Sequence, residues 1–503
     1  MAEKIVVLGA TGYVGTRLVT KLLQAGRQVR ATSRNIGKLR GRHWSADPNV
    51  ELVETDVLDL DSLTSALEGC DSAYYLVHSM NKQTRDFANA DRKAAENMIV
   101  AADQAALKQI IYLGGLGDDS PELSKHLKSR AEVGEVLRSG NVPVTTLKAA
   151  MIIGSGSASF EILRYLVERL PVMITPKWVS VDTQPIGIAN VLTYLTGCLG
   201  REETLNRTFD IGGPNVLRYR DLMQIYAEEA ELDKRTIIPV PVFTPTLSSY
   251  WIHLVTPVPA YIGRPLAEGL RNPTICREND IQQIVKQDLL TCRAAIRSAL
   301  DKTQYHKVES HWTDAGKIWP VAWSSEADEK WAGGTIYEDK RSVVLNNTPE
   351  EIWKPLVRIG GATGYYYGDW LWRLRGVLDK LIGGVGLRRG RRNPDELSAG
   401  DALDFWRVRD VDKHKSLLLV AEMKLPGEAV LEFKINEISP GKCELTQTAK
   451  YLPKGLLGML YWRLVTPLHD LIFDGMLLGI ARAVNNNSSE NPLAKLTVAR
   501  AHK

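Results

Sequence analysis

The feature that most constrains the fold is a short apolar run, Lys4–Leu8, that leads directly into three closely spaced glycines, Gly9, Gly12 and Gly15. Further apolar runs follow, separated by stretches with a 3.6-residue apolar period. The predicted strands are Lys4–Leu8, Gln28–Thr32, Val50–Thr55, Ser72–Val77, Gln109–Leu113 and Val144–Leu147; the predicted helices between them are Thr16–Ala25, Asp61–Leu67, Ala88–Ala105 and Ser129–Ser139. This alternation predicts an α/β domain with a doubly wound parallel sheet.

The glycine loop predicts a dinucleotide site in a domain of the Rossmann type. Gly9 permits a tight turn after the strand, Gly12 lets the backbone approach a pyrophosphate, and Gly15 lets the next helix pack close to the strand. The N–H groups at the start of that helix favour phosphate. The loop residues predicted to contact the cofactor are Gly9, Thr11, Gly12, Tyr13, Val14 and Gly15.

The end of the second predicted strand indicates which dinucleotide binds. An acidic residue there would accept hydrogen bonds from the ribose hydroxyls of NAD. The chain has Ser33 and Arg34 instead, with Lys38 and Arg40 close behind. A hydroxyl and a planar guanidinium suit a 2′-phosphate, so the sequence predicts a preference for NADP(H), with NAD(H) as the alternative.

The ends of the third and fourth strands supply the remaining predicted cofactor contacts. Ligands of doubly wound sheets bind at the carboxyl ends of the strands. The residues at these two ends are Asp56, Val57, Leu76, Val77 and His78. For His78, an ordinary loop position is the alternative interpretation.

Chain length and tryptophan distribution predict two domains. A single core stops growing at about 250–300 residues, and the chain has 503. Of twelve Trp residues, only Trp44, Trp178 and Trp251 precede residue 301. The predicted organisation is a Rossmann domain with a substrate cap over residues 1–304, a linker over 305–334, a second domain over 335–485 and a flexible tail over 486–503. In the second domain we expect strands Ile336–Leu345, Ala402–Asp410, Ser416–Met423, Ala429–Glu437 and Lys442–Leu452, a helix Thr348–Ile359 and a long apolar helix ending near Val484.

Charge and cysteine content exclude several classes of protein. A net charge of +4 argues against a dedicated nucleic-acid binder. Five scattered cysteines with no CxxC pair predict neither a metal site nor a disulfide framework, and they indicate a reducing, cytoplasmic compartment. The chain contains no run of 18 uncharged apolar residues, so no spanning helix is expected. The basic, Trp-bearing segment Asp369–Leu378 and the run Arg388–Arg392 leave open a peripheral contact with an anionic membrane, with a solvated loop as the alternative.

Three motifs carry a resemblance to the extended and atypical branch of the short-chain dehydrogenase/reductase (SDR) superfamily, with its NmrA-like proteins. They are the loop GATGYVG at Gly9–Gly15, the stretch His126–Glu135 and the stretch Gly140–Lys148, and the resemblance covers about residues 1–300. Residues 335–485 resemble an α+β helix-grip, START-like (SRPBCC) domain. The whole architecture resembles bacterial NAD(P)-binding proteins that carry a C-terminal domain of unknown function. The resemblance implies a Rossmann fold, NAD(P) binding and, by family base rate, an oxidoreductase.

The chain departs from this superfamily at the catalytic positions. The superfamily's reductases use a Tyr-x-x-x-Lys pair, in which Tyr donates a proton and Lys holds the nicotinamide ribose. His126 and Arg130 stand at those positions here, and Gly114 and Gly115 stand where a Ser is usual. The candidate catalytic residues are therefore His126, Arg130 and Tyr112. Arg130 is also a predicted ribose contact, and an unperturbed imidazole titrates near pH 6–7.

The second domain is expected to offer a cavity rather than a catalyst. Its aromatic side chains either line an apolar pocket or form ordinary core packing; they are Tyr365, Tyr366, Tyr367, Trp370, Trp372, Phe405 and Trp406. Three functions stay open at this point. The chain is an NADP(H)-dependent oxidoreductase of an apolar carbonyl or quinone-like substrate, a non-catalytic sensor of nicotinamide redox state, or a lipid-binding or assembly protein at a membrane surface in which the dinucleotide is structural.

Overall fold

The computed structural model describes residues 3–77, 87–117, 124–240, 252, 256, 258, 260–269, 272–304, 336–387, 391, 393–453, 455–486 and 499–502. The chain divides into two compact units, Met1–Ala315 and Gly316–Lys503, and each has its own sheet and core. The division falls within the segment 305–334 that the sequence predicts as a linker.

The first unit is built on a seven-stranded parallel sheet with the order β11-β6-β5-β4-β1-β2-β3. The strands of this unit are β1 Lys4–Leu8, β2 Gln28–Ser33, β3 Val50–Glu54, β4 Ser72–Tyr75, β5 Gln109–Gly115, β6 Val144–Ala149, β7 Ile152–Ile153, β8 Val172–Pro176, β9 Asp182–Thr183, β10 Ile186–Gly187, β11 Thr208–Ile211, β12 Leu217–Arg218 and β13 Thr236–Val240. The helices are α1 Tyr13–Gln24, α2 Ile36–Arg40, α3 Leu60–Leu67, α4 Phe87–Gln104, α5 Lys125–Arg138, α6 Ala158–Arg169, α7 Ile188–Gly197, α8 Tyr219–Glu229, α9 Ala260–Gly269, α10 Ile281–Ile284 and α11 Cys292–Gln304. This architecture confirms the predicted Rossmann-type fold.

Both faces of the central strand β1 are buried, which explains its unbroken apolar sequence. On one face, Ile5 and Val7 share a core with α1 and α7. On the other face, Val6 and Leu8 share a core with α3 and α4. Helices on both sides of a parallel sheet leave its strand ends as the open edge at which ligands bind.

Residues 150–304 add short two-stranded sheets and helices outside the main sheet. Strand β7 pairs with β10, β8 with β13 and β9 with β12. Helices α6, α8 and α11 share a third apolar core. This part of the unit corresponds in sequence to the predicted substrate cap.

The second unit is an antiparallel sheet with the order β15-β16-β17-β18-β19-β14-β20. Its strands are β14 Tyr337–Leu345, β15 Ala402–Leu403, β16 Trp406–Asp412, β17 Ser416–Ala421, β18 Gly427–Ser439, β19 Lys442–Pro453 and β20 Ala499–His502. Its helices are α12 Pro349–Val357, α13 Asp369–Leu381 and α14 Gly455–Asn486. The antiparallel sheet and long helix agree with the predicted α+β class. Strand β20, which pairs with β14, lies in the segment that the sequence predicts as a flexible tail.

The second half of α14 forms part of the core of this unit. Met476, Leu477, Ile480 and Ala481 are fully buried there, together with apolar side chains of the sheet. Among the described residues, one helix, Leu457–Asn485, is long and apolar enough to cross a membrane by length and composition, with a mean hydropathy of 1.4 in a stretch that is 33% buried. The sequence predicted no such helix because charged residues interrupt the run. The length and composition of this helix are weak evidence that it spans a membrane, because its second half belongs to the core of the unit.

Most of the aromatic residues proposed as pocket lining pack against each other. The rings of Tyr365 and Trp372 lie 4.6 Å apart between centroids, and those of Tyr365 and Phe405 lie 5.9 Å apart. Tyr365, Phe405 and Trp406 are buried, whereas Trp370 is 67% exposed. Tyr365, Phe405 and Trp406 therefore belong to the packed core, which is the alternative interpretation given above for these residues.

Candidate functional site

The glycine loop joins β1 to α1 and has the steric requirements expected of a phosphate-binding turn. Gly9 has a φ of +87°, which side chains rarely adopt, and a β-carbon there would also press on the carbonyl of Leu76. A β-carbon at Gly15 would overlap the carbonyl oxygen of Gly9. The first turn of α1 can lie this close to the loop only because position 15 is glycine.

The start of α1 suits an anion. The first intrahelical bond of the turn is donated by the Thr16 N–H to the Gly12 carbonyl oxygen at 3.0 Å. The N–H groups of residues 13–15 thus precede the helical ladder and point toward the open end. Gly12 is the N-cap and offers no side-chain oxygen, and the first turn has no acidic residue. A dinucleotide pyrophosphate fits this position, because the N-cap has no side-chain oxygen and the first turn has no acid to repel a phosphate.

The end of β2 brings hydroxyl and basic groups next to the same loop. The hydroxyls of Ser33 and Thr11 lie 3.5 Å apart, and Arg34 is exposed beside them. Arg42 is buried and donates from Nη2 to the Thr11 carbonyl oxygen at 3.1 Å. Lys38, in α2, is also buried. The structure thus adds Arg42, which the sequence reasoning missed, although a further basic residue after the strand was a visible signal.

The predicted contacts at the ends of β3 and β4 lie on the same edge of the sheet. The Asp56 carboxylate accepts the Leu58 N–H at 3.1 Å, which closes a turn. Val57 is buried, and its carbonyl oxygen accepts the side-chain amide of Asn97 at 3.0 Å. Leu76 adjoins Gly9, as described above, and Val77 follows it. His78 lies outside the described residues.

Tyr112 and Arg130, two of the candidate catalytic residues, contact each other. The Tyr112 hydroxyl donates to the Arg130 carbonyl oxygen at 3.0 Å, and the tyrosine is 1% exposed. The Arg130 guanidinium lies 5.2 Å from the Tyr112 ring centre and donates to the Leu113 carbonyl oxygen. Burial raises the pKa of the Tyr112 phenol. These contacts fasten α5 to β5, and the catalytic roles of Tyr112 and Arg130 and the ribose contact of Arg130 stay predictions.

His126 lies in the first turn of α5, close to the end of β5. Burial, together with the positive charge of Arg130, lowers the pKa of its imidazole to about 4. The ring is therefore neutral at pH 7, in contrast to the titration near pH 6–7 expected for a free histidine. A neutral imidazole is a poor proton donor.

A buried acid near these residues was not predicted from the sequence. Asp91, in α4, is buried and accepts a hydrogen bond from the Ser129 hydroxyl at 3.3 Å. It contributes to the raised pKa of Tyr112, after burial. Nothing in the helical pattern of Phe87–Gln104 distinguishes Asp91 from a surface acid, so only the packing of α4 against α5 identifies it.

Two family models match separate parts of the chain. A family described as NAD(P)H-binding matches residues 9–155, which include the glycine loop and strands β2 to β6. A family described as a protein of unknown function (DUF2867) matches residues 331–476 in the second unit. The resemblance of that unit to START-like domains stays a prediction.

Several of the relatives that the chain matches are plant reductases. The chain is 23% identical to divinyl chlorophyllide a 8-vinyl-reductase of Arabidopsis thaliana, over 42% of this chain and 53% of that protein. It is 22% identical to cinnamoyl-CoA reductase 2 of the same plant, over 38% of this chain and 68% of that protein. A solved structure of triphenylmethane reductase from Citrobacter sp. with NADP(H) aligns over 59% of this chain and 99% of its own, with 20% identity and a TM-score of 0.48. The first unit thus has an NAD(P)-binding, reductase-like fold with a nicotinamide dinucleotide as its cofactor.

Proposed function

We propose that the protein is an NADP(H)-dependent oxidoreductase that reduces an apolar, quinone-like or conjugated carbonyl substrate. The observation that carries the proposal is the composition of the β2 end. No acid stands at Ser33 or Arg34, and the buried cations Lys38 and Arg42 lie behind them. Such a set favours a ribose phosphate over the two free hydroxyls of NAD.

The residues around the open edge account for binding and orientation. The first turn of α1 would hold the pyrophosphate, and Ser33 and Arg34 would hold the 2′-phosphate. Asp56 and Val57 would adjoin the adenine, and Leu76 and Val77 the ribose. When bound, the cofactor supplies the hydride, and the protein supplies position and a dry surface.

The substrate class follows from the groups near the end of β5. Gly114 and Gly115 carry no hydroxyl, the Tyr112 hydroxyl is engaged, and His126 is neutral. A simple ketone needs a strong proton donor as its alkoxide forms. A quinone that accepts a hydride becomes a hydroquinone anion, which is far less basic and takes its proton from water. We therefore expect quinone-like acceptors to be reduced in preference to simple ketones.

The test is NADPH oxidation by the full chain against a panel of quinones, enones and simple ketones. We expect turnover with quinone-like acceptors, and little turnover with ketones. His126→Phe should retain this turnover within about tenfold, because water supplies the proton. A fall of about 10²–10⁴-fold with unchanged NADPH affinity would instead make His126 the donor.

A second candidate is a non-catalytic sensor of nicotinamide redox state. The observation that favours it is the same set of missing donors at Gly114, Gly115 and Tyr112. A sensor would bind NADPH tightly and turn over none of the panel. It would also show different hydrogen exchange in the glycine loop with NADPH and with NADP⁺, whereas a reductase would turn over at least one acceptor.

A further inference from the structure

Helix α13 of the second unit presents its apolar side chains to solvent. Trp370, Leu374, Val377, Leu378 and Leu381 are 49–67% exposed and recur at intervals of three and four residues, so they form one stripe. The residues that the helix buries are Gly376 and Asp379. Leu371 and Trp372 of the same helix pack against the core, as in an ordinary surface helix, so the exposed stripe is a second apolar side of α13.

The first half of α14 carries a second stripe of the same kind. Leu457, Leu460, Leu464, Leu468 and Leu471 are 45–74% exposed. The spacing of three and four residues again places them along one side of the helix. Exposed leucines at every turn over four turns are not scattered surface residues; they mark an interaction surface.

Contacts at two points relate α13 to α14. Gly368, before α13, adjoins Ile472 of α14. At the other end, the loop 424–426 contacts both helices. Arg375 donates to the Lys424 carbonyl oxygen at 3.2 Å, and Gly458 packs against Pro426. The start of α13 thus lies near the middle of α14 and its later part near the start of α14, so the two helices run in opposite directions. We call their two exposed stripes together the apolar face.

The fully exposed charges within the two stripes are positive, and Asp470, at the end of the α14 stripe, is paired with the buried Arg341. Arg373 and Arg463 are exposed within the stripes, and Lys380 is half-buried at the end of α13. The α13 acids are engaged by backbone: the Tyr365 N–H donates to Asp369 at 2.8 Å and the Lys424 N–H donates to Asp379 at 2.7 Å. Residues 455–469 contain no acid. Leucine and tryptophan flanked by arginine match the composition of helices that lie in the interface of an anionic bilayer.

We propose that the apolar face docks the protein on the surface of an anionic lipid bilayer, with α13 and the first half of α14 lying in the interfacial plane. The face does not span the bilayer, because the second half of α14 is the core of the unit. The proposal is independent of the reductase activity, since the residues that carry it lie outside the dinucleotide site.

Vesicle sedimentation with the full chain tests the proposal. We expect binding to vesicles of phosphatidylcholine with phosphatidylglycerol, weaker binding to phosphatidylcholine alone, and loss of binding at high salt. Leu464→Asp and Trp370→Asp should each reduce the partition coefficient about tenfold or more. Arg463→Glu should reduce binding to anionic vesicles only.

Matched controls exist at the far end of the same unit. Ile438 is 56% exposed near the β18–β19 turn, at the opposite end of β19 from the start of α14. Ile438→Asp and Lys442→Glu should leave vesicle binding unchanged. Because all these side chains are exposed, the variants should keep the parent's thermal unfolding and NADPH binding.

Site-specific fluorescence gives an independent readout. Brominated lipids should quench part of the tryptophan emission, and Trp370→Phe should remove much of that part, since Trp370 would enter the interface. Three outcomes overturn the proposal: no binding to either vesicle, equal binding by all variants, or a dimer in sedimentation velocity that Leu464→Asp converts to a monomer without any vesicle binding. The last outcome would assign the face to a second copy of the chain.

Discussion

At the scale of single residues, the cofactor site depends on the β-carbon that a glycine lacks and on which charged side chains stand near the phosphates. Gly15 has no β-carbon to meet the Gly9 carbonyl oxygen, and the start of α1 has no acid to repel a phosphate. Ser33 and Arg34 occupy the position at which NAD-binding domains place an acid. Each of these features could be predicted from the sequence, because each depends on neighbours within a few residues.

The cofactor preference depends on Arg34. Arg34→Ala should weaken NADPH binding by about 1.5–3 kcal/mol, since one charge-assisted hydrogen bond is lost, and should leave NADH nearly unchanged. Arg40→Ala, which removes an exposed arginine at the end of α2, is the matched control. Calorimetric titration with both cofactors measures the difference. Equal weakening of the two would contradict contact between Arg34 and the 2′-phosphate.

A buried histidine makes the second unit sensitive to acid. Burial, with the charge of Arg341, lowers the pKa of His469 to about 4. The unfolded chain takes up this proton near pH 6.5, while the folded unit resists it until about pH 4. The free energy of unfolding should therefore fall by about 2–3 kcal/mol as the pH drops through this window.

His469→Phe should remove this dependence, and denaturant titrations followed by tryptophan emission measure it. His414→Phe, near the surface, should retain it. If the free energy of unfolding of His469→Phe still falls with pH in this window, another group takes up the proton.

At the scale of elements, one buried arginine holds α14 on the sheet. Arg341, in β14, is 1% exposed and donates to the carboxylates of Asp339 at 2.8 Å, Asp470 at 2.9 Å and Asp474. Asp470 and Asp474 are one turn apart on α14, so the guanidinium bridges the strand and the helix. In the sequence, these acids argued only against an uncharged run long enough to span a membrane, and the long helix itself was predicted.

Arg341→Ala should destabilise the second unit by about 3–5 kcal/mol, because it leaves several carboxylates without their cation in a buried setting. Arg358→Ala is the control, since its partner Asp395 and Arg358 itself are both exposed, and the loss there should stay below about 1 kcal/mol. Chemical denaturation measures both. An equal effect of the two substitutions would show that the buried network contributes little.

At the scale of the whole molecule, the chain combines two cores of different construction. The first unit has a parallel sheet covered on both faces, and the second has an antiparallel sheet with a long helix. The first carries the NAD(P)H-binding match, and the second carries the match of unknown function. The dinucleotide-binding match therefore lies in the first unit.

A fragment of residues 1–304 should fold and bind NADPH with the affinity of the full chain, because the sheet and its covering helices are complete within it. Calorimetry on the purified fragment measures this. If the fragment is insoluble and recovers only when residues 305–503 are co-expressed, the two units share part of a core, and the prediction is wrong.

The sequence by itself determined the glycine turn, the strand–helix alternation, the basic end of β2 and the change of construction after residue 304. These features are local: periodicity sets which face is apolar, and a missing β-carbon sets how close two adjacent segments come. Only the tertiary structure decided that Tyr112 donates to Arg130, that His126 is neutral, that Arg42 reaches the glycine loop and that α13 exposes a stripe of apolar side chains. Those properties depend on burial and on contacts between residues far apart in the chain, which no local pattern encodes.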